Sequence, residues 1–287
     1  MEKFNGELKP NVVVLGPGGI KGFIELGVLL YLEKKKILEN VDTYVGVSIG
    51  SIISLLLVCG YTALEIIEKG VEIDIFHNFL ELDLSNISSN VGLISNHKIR
   101  DELENLITEK FGIIPTLKQL YNFTALNFVS VTFNLSKNRT EKLSHENEPN
   151  LSCIDAVLLS INIPLIFYKL SYKGDIYIDG AIGNPYPIDL YDDDKNNILG
   201  IYIESDLPSL DTSIGYLLNL IFASMNKLKE ININRKTNKV NTIYIKSKYM
   251  NIMGIGMKFK DKTRLISQGY SEAKKYITGK EEVIKKP

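Results

Sequence analysis

The pentapeptide Gly46-Val47-Ser48-Ile49-Gly50 constrains this 287-residue chain more than any other feature. It lies between Thr43-Tyr44-Val45, a β-branched and aromatic run that suits a strand, and Ser51 to Val58, a strongly apolar run that suits a buried helix. A chain that passes from strand to helix through G-x-S-x-G must turn sharply at the serine. Gly46 and Gly50 leave room for backbone to approach backbone, and the turn pushes the hydroxyl outward. This is the sequence form of a nucleophile elbow. The same five residues also fit a plain tight turn, so the surrounding segments must decide.

Those segments read as alternating strands and helices. Asn11 to Leu15 suits a buried parallel strand, and Gly16 to Gly22 a glycine-rich turn. Phe23 to Lys36 suits a helix whose basic C-terminal end complements the helix dipole. Thr62 and Glu65 form a capping box for a short helix ending near Gly70. Residues 71–95 lose periodicity and include a surface loop at Ser85 to Asn90. A helix is expected over 97–110, a strand from Leu126 to Leu135, a polar hairpin or loop from Asn138 to Asn150, and a short helix from Ser152 to Ser160. Ile176 to Ile178, Ile198 to Glu204 and Asn241 to Lys246 read as further strands, with helices at about 212–230 and 261–277.

This alternation predicts an α/β fold with three layers, a mainly parallel central sheet and helices on both faces. No repeat or long linker divides it. A single domain over residues 11–277 is expected, between an N-terminal tail (1–10) and a polar C-terminal tail (278–287).

Composition removes several classes. With 45% hydrophobic and 23% charged residues the chain is of ordinary globular type, and a net charge of −1 argues against a dedicated nucleic-acid binder. Cys59 and Cys153 sit in apolar helical segments without metal spacing, which suits reduced core residues in a reducing, cytoplasmic compartment. Met1 to Pro10 carries no apolar signal region, and the apolar run ending at Val58 is too short to span a bilayer. Any membrane contact is therefore expected to be peripheral.

A serine hydroxyl needs a base. His77, His97 and His145 all follow Ser48, but none follows the best acidic candidate, Asp179, so the serine–acid–histidine order is missing. Each histidine also lies in a polar or loop-like segment and reads as a surface residue. Asp179 ends the run Ile176-Tyr177-Ile178 and opens an Asp179-Gly180 turn. Active residues gather at the carboxyl ends of strands in a parallel sheet. A carboxylate there, its pKa raised by burial, can serve as general base. Gly16-Pro17-Gly18-Gly19-Ile20-Lys21-Gly22 supplies backbone N–H groups at a helix start, where an anion can bind: a ligand phosphate or an oxyanion. A Walker loop would need Gly-Lys-Ser/Thr, and a dinucleotide fingerprint would need glycine where Lys21 stands.

These three elements together resemble the patatin-like phospholipases, or patatin-like acyl hydrolases, whose fold is related to the α/β-hydrolases. Their pattern is a glycine-rich loop ending in Arg/Lys-Gly, then G-x-S-x-G, then Asp-Gly-Gly/Ala. The resemblance implies a Ser–Asp dyad without histidine: Ser48 as nucleophile, Asp179 as proton acceptor, and the amides of Gly18 and Gly19 as oxyanion hole. Lys21, Gly22, Gly46, Gly50 and Gly180 match supporting positions. Ser160, Pro164 and Phe167 resemble the family's S-x-A-x-P-x-x-F segment, and Leu265 to Tyr270 with Ala273 its closing helix, so the likeness covers about residues 11–277. Two departures stand out. Pro17 replaces a loop glycine and removes an N–H, and Asn162 replaces the alanine of the S-x-A segment.

The resemblance implies hydrolysis of glycerophospholipid carboxylic esters through an acyl-enzyme, with no metal and no cofactor. Lysophospholipase, neutral-lipid lipase and acyltransferase activities remain open on the same dyad, as does a catalytically silent lipid-binding regulator. Implied partners are a phospholipid or other lipid ester and a peripheral membrane surface. No residue identifies an activating protein. Ile214 to Ala223 is apolar nearly all round and suits a buried helix or an interfacial lid, followed by Lys227, Lys229 and Arg235, which could favour anionic lipid.

Overall fold

The computed structural model describes residues 8–72, 92–193, 195–205, 239–247 and 257–285, with Tyr216, Asn219, Leu228 and Thr237. His77, the loop at Ser85 to Asn90 and most of the helix expected over 212–230, with Lys227, Lys229 and Arg235, lie outside the described residues. Tyr216, Asn219 and Leu228 are helical.

The central strands are β1 (Val12–Leu15), β2 (Thr43–Val47), β4 (Asn127–Asn134), β5 (Arg139–Leu143), β7 (Leu170–Tyr172), β8 (Asp175–Asp179), β9 (Ile198–Ser205) and β10 (Val240–Ser247). They form one sheet in the order β10-β9-β1-β2-β4-β8-β7, with β5 also paired to β4. The five strands from β10 to β4 are parallel to their neighbours, whereas β5 and β8 each run antiparallel to β4, and β7 antiparallel to β8. Short strands β3 (Gly92–Ile94) and β6 (Leu165–Phe167) form a separate parallel pair. Helices α1 (Gly22–Lys34), α2 (Ile49–Val58), α3 (Ala63–Glu72), α4 (His97–Phe111), α5 (Leu117–Thr124), α6 (Cys153–Ser160) and α7 (Phe259–Lys285) pack around the sheet.

Strand β1 reads Val-Val-Val-Leu because both its faces are covered, as a central parallel strand requires. Val13 and Leu15 join the cluster that includes α1, α2, α6 and α7 side chains. Val12 and Val14 join Val45, Val47, Val129 and Val131 in a second cluster, closed by Ala181, Tyr186 and Ile188. Helix α1 is buried nearly all round because α7 crosses it closely. A Cβ on Gly27 would lie 2.1 Å from the Ile266 carbonyl oxygen, and one on Gly269 only 1.9 Å from that of Ile24.

The mostly parallel sheet with surrounding helices is the expected class, but several boundaries differ. Helix α7 continues to Lys285, through residues expected to form a polar tail, because Lys280 to Lys285 are mainly good helix formers. The polar stretch after β4 is a hairpin onto β5. Helix α5, closed by a Thr116–Gln119 capping box, and strands β3, β6 and β7 were not expected, being too short to show periodicity.

Candidate active site

Strand β2 delivers the chain into the elbow, and Ser48 takes φ 55°, ψ −126°. This left-handed φ is unfavourable for a residue with a Cβ, by about 1–3 kcal/mol, and persists only where the surroundings impose it. Three contacts do so. Gly46 and Gly50 fold onto each other so closely that a Cβ on Gly46 would lie 2.3 Å from the Gly50 carbonyl oxygen. The α2 backbone also lies against the end of β1, where a Cβ on Gly50 would sit 2.5 Å from the Leu15 carbonyl oxygen. Finally, the Ser48 N–H donates to Ser160 Oγ at 3.0 Å, and the Ser160 hydroxyl donates to the Val131 carbonyl at 2.6 Å. Ser48 occupies the N-cap position of α2, yet its side chain makes no capping bond. Its hydroxyl meets Asp179 instead.

The sheet explains how two residues 131 positions apart meet. Strand β2 pairs with β4 as far as Val47, opposite Val131. Strand β5 occupies the other edge of β4 from Ser130 to Asn134. Strand β8 pairs with Thr132 to Asn134 and so must take the edge that β2 has vacated, with Asp179 opposite Thr132. β2 and β8 thus meet end to end at their carboxyl ends. Asp179 does end a strand, but that strand arrives from the opposite direction.

Asp179 is 4% exposed and Ser48 7%. Burial pushes the Asp179 carboxyl up from 3.8 to about 6, although hydrogen bonds from the Ser48 hydroxyl and the Ala181 N–H pull the other way. The Ala181 N–H reaches Asp179 Oδ1 at 2.9 Å, and the Asp179 N–H donates to the Asn162 carbonyl at 2.9 Å. Gly180 lets the turn press against β4, since a Cβ there would lie 2.1 Å from the Val131 carbonyl oxygen.

The glycine-rich loop leaves β1 beside the elbow. Gly16 N–H bonds the Ile201 carbonyl at 3.2 Å and Lys21 N–H the Gly18 carbonyl at 3.1 Å. Gly18 is extended at φ −176°, and Gly19 turns the chain with φ 55° into a 3-10 turn, Gly19–Lys21, that runs into α1. Gly22 packs against Ile49, the residue after Ser48, so that a Cβ on it would lie 2.5 Å from Ile49 Cγ1. Loop and elbow are therefore in direct contact. Lys21 is fully buried and does not face solvent. Glu25, one turn further along α1, is also fully buried, and burial drives its carboxyl well above the ordinary range.

The described histidines are engaged elsewhere. His97 pairs with Asp101 at 3.1 Å on α4. His145 stacks on Tyr121 and lies 3.1 Å from Asn127 Oδ1. In the sequence Ser160 reads only as part of a pattern and Asn162 only as a departure from it; nothing in their spacing reveals the bonds they make. Both cysteines are free and buried. Among the described residues, no helix is long and apolar enough to cross a membrane, and no three His, Cys, Asp or Glu side chains gather as a metal site would need.

Residues 13–192 fit the model of the patatin-like phospholipase family. The chain is 31% identical over 205 residues to the probable lipid hydrolase 463L of Invertebrate iridescent virus 6, covering 67% of this chain and 69% of that one. It is 33% identical over 193 residues to the uncharacterized protein R571 of Acanthamoeba polyphaga mimivirus, covering 66% and 64%. The chain thus spans about two thirds of the length of these relatives. Among solved structures, VipD from Legionella pneumophila superposes with a TM-score of 0.64 at 16% identity, covering 94% of this chain and 67% of VipD. The type III effector ExoU of Pseudomonas aeruginosa superposes with a TM-score of 0.52 at 15% identity, covering 95% and 53%. At those identities the structures speak to the fold, while the family model and the viral relative speak to descent. With an elbow serine, an Asp-Gly turn and a glycine loop in the family's order, this chain belongs to the patatin-like phospholipase family.

Proposed function

We propose that this chain is a lipid acyl hydrolase of phospholipase A type, acting on carboxylic esters of glycerophospholipids presented at a lipid surface. The observation that carries the reading is the strained Ser48 hydroxyl, bonded to a buried Asp179 and not to its own helix. With its pKa near 6, Asp179 is mostly ionised at neutral pH yet basic enough to take a proton. It accepts the Ser48 proton as Oγ attacks the ester carbonyl carbon. The amides around Gly18 and Gly19 receive the oxyanion, a contribution of roughly 10²–10³-fold per donor in comparable sites. The tetrahedral intermediate collapses, the carbonyl re-forms, and Asp179 returns the proton to the departing alcohol, leaving the acyl group on Ser48. A water that gives its proton to Asp179 then attacks this ester. Collapse of the second intermediate frees the fatty acid, and the proton passes back to Ser48 Oγ. Lys21, Gly22, Gly46, Gly50 and Gly180 support the geometry. The residues of the fold, about 11–277, act as one catalytic unit.

Fatty-acid release from glycerophospholipid vesicles tests the reading. Wild type should release it and Ser48→Ala should not. Equal release by both, or none by wild type on any lipid ester offered, refutes it.

A further inference from the structure

We propose that Ser160-Ile161-Asn162, the turn at the C-terminal end of α6, is the positioning segment that sets the separation of Ser48 and Asp179. This rests on the dyad reading above and deepens it. Strands β2 and β8 meet end to end, and the ladder pairs each with β4 and not with the other. Hydrogen bonds along β4 set each strand's register, but among the described residues no ladder bond joins β2 to β8. One short turn reaches both sides.

On the Ser48 side, the fully buried Ser160 hydroxyl donates to the Val131 carbonyl at 2.6 Å and accepts the Ser48 N–H at 3.0 Å. One oxygen thus pins the elbow's strained residue to the β4 position opposite Val47. An alanine can do neither job, whereas a threonine keeps the hydroxyl. On the Asp179 side, the Asn162 carbonyl accepts the Asp179 N–H at 2.9 Å, and Asn162 Nδ2 donates to the Tyr177 carbonyl at 2.9 Å. Tyr177 and Asp179 present these groups on one edge of β8, the edge that β7 pairs only as far as Tyr177. Asn162 therefore takes the place of a neighbouring strand at the last residues of β8. The turn is itself anchored, because Thr132 Oγ1 donates to the Leu159 carbonyl at 2.8 Å and lies 3.1 Å from that of Ile178. The arrangement also engages the Ser48 N–H, which leaves the loop amides and the first turn of α2 to face an oxyanion.

Misplacing a reacting group by about 1 Å can cost on the order of 10²-fold in rate. Ser160→Ala should therefore lower kcat, and the rate at which a fluorophosphonate labels Ser48, by about 10–100-fold with KM within about twofold. Ser160→Thr should recover most of the loss, and Asn162→Ala should lose about tenfold. Ser54→Ala removes a buried α2 hydroxyl that makes no hydrogen bond among the described residues and should label like wild type. In hydrogen exchange, Ser160→Ala should expose the Ser48 amide and Asn162→Ala should leave the Tyr177–Asp179 end of β8 faster-exchanging. The proposal is overturned if Ser160→Ala and Asn162→Ala label at wild-type rates, or if Ser160→Thr is no better than Ser160→Ala. A wild type that never labels refutes the dyad reading instead. Hydrogen exchange then still decides the clamp, and unchanged protection of both amides in the variants overturns it.

Discussion

Asp179→Asn replaces an acid that the fold holds in its less favoured charged form at neutral pH, so the variant should be inactive and more stable. Burial raises the Asp179 pKa from 3.8 to about 6. Below pH 3.8 the carboxyl is protonated in both folded and unfolded chains and contributes no penalty. As pH rises, the unfolded chain loses its proton first, and the stability held by the neutral acid is lost progressively until pH passes 6. About two pKa units at 1.36 kcal/mol each make the loss roughly 3 kcal/mol. Asparagine keeps an oxygen for the Ala181 N–H but cannot ionise, so it escapes this loss. With about 2.1 cal/mol/K of unfolding entropy per residue, a chain of 287 residues has about 0.6 kcal/mol/K. Three kcal/mol then corresponds to a Tm rise of roughly 5 °C. Thermal melts of both proteins from pH 4 to pH 8 measure it. The gap in Tm should open between pH 4 and pH 6 and stay level above, while vesicle hydrolysis by the variant falls to background. A gap that is constant across pH, or a variant less stable at pH 8 than at pH 4 relative to wild type, would refute the assignment of Asp179 as a buried, high-pKa base.

Further outcomes follow from the same geometry. The acid limb of kcat/KM should fall near pH 6, as free-enzyme Asp179 gains its proton; a flat profile from pH 5 to pH 8 contradicts that. Gly50→Ala places a Cβ 2.5 Å from the Leu15 carbonyl oxygen and 2.7 Å from that of Gly16. It should cost about 1–3 kcal/mol in urea unfolding and abolish Ser48 labelling, because it forces α2 and the elbow off β1. Gly27→Ala and Gly269→Ala, at the crossing of α1 and α7, should destabilise by a similar amount while the folded fraction still reacts. Full loss of labelling in folded material would show that the crossing reaches the site.

Much of this was legible in the sequence because the chemistry sits on local motifs. The elbow announces itself through two glycines around one serine. The Asp179-Gly180 turn shows as a short strand stopped by Asp-Gly, and the absence of a histidine after Asp179 is a matter of counting. The end-to-end meeting of β2 and β8 was not legible. Strand direction depends on long-range pairing with β4, and Ile176 to Ile178 reads alike in either direction. Ser160 and Asn162 show the same limit from the side of hydrogen bonding. Their partners lie 112 and 15 residues away, so no local pattern marks them. The end of α7 is not legible because a charged Lys-Glu segment suits an exposed helix as well as a tail.

The central claim is that Ser48 is a nucleophile activated by Asp179. The most direct measurement is the intact mass and peptide map of protein treated with a fluorophosphonate at pH 8. Wild type should gain a single adduct on the peptide bearing Ser48, Asp179→Asn should gain it far more slowly, and Ser48→Ala should gain none. An adduct on another residue, or equal labelling of wild type and Asp179→Asn, would contradict the account.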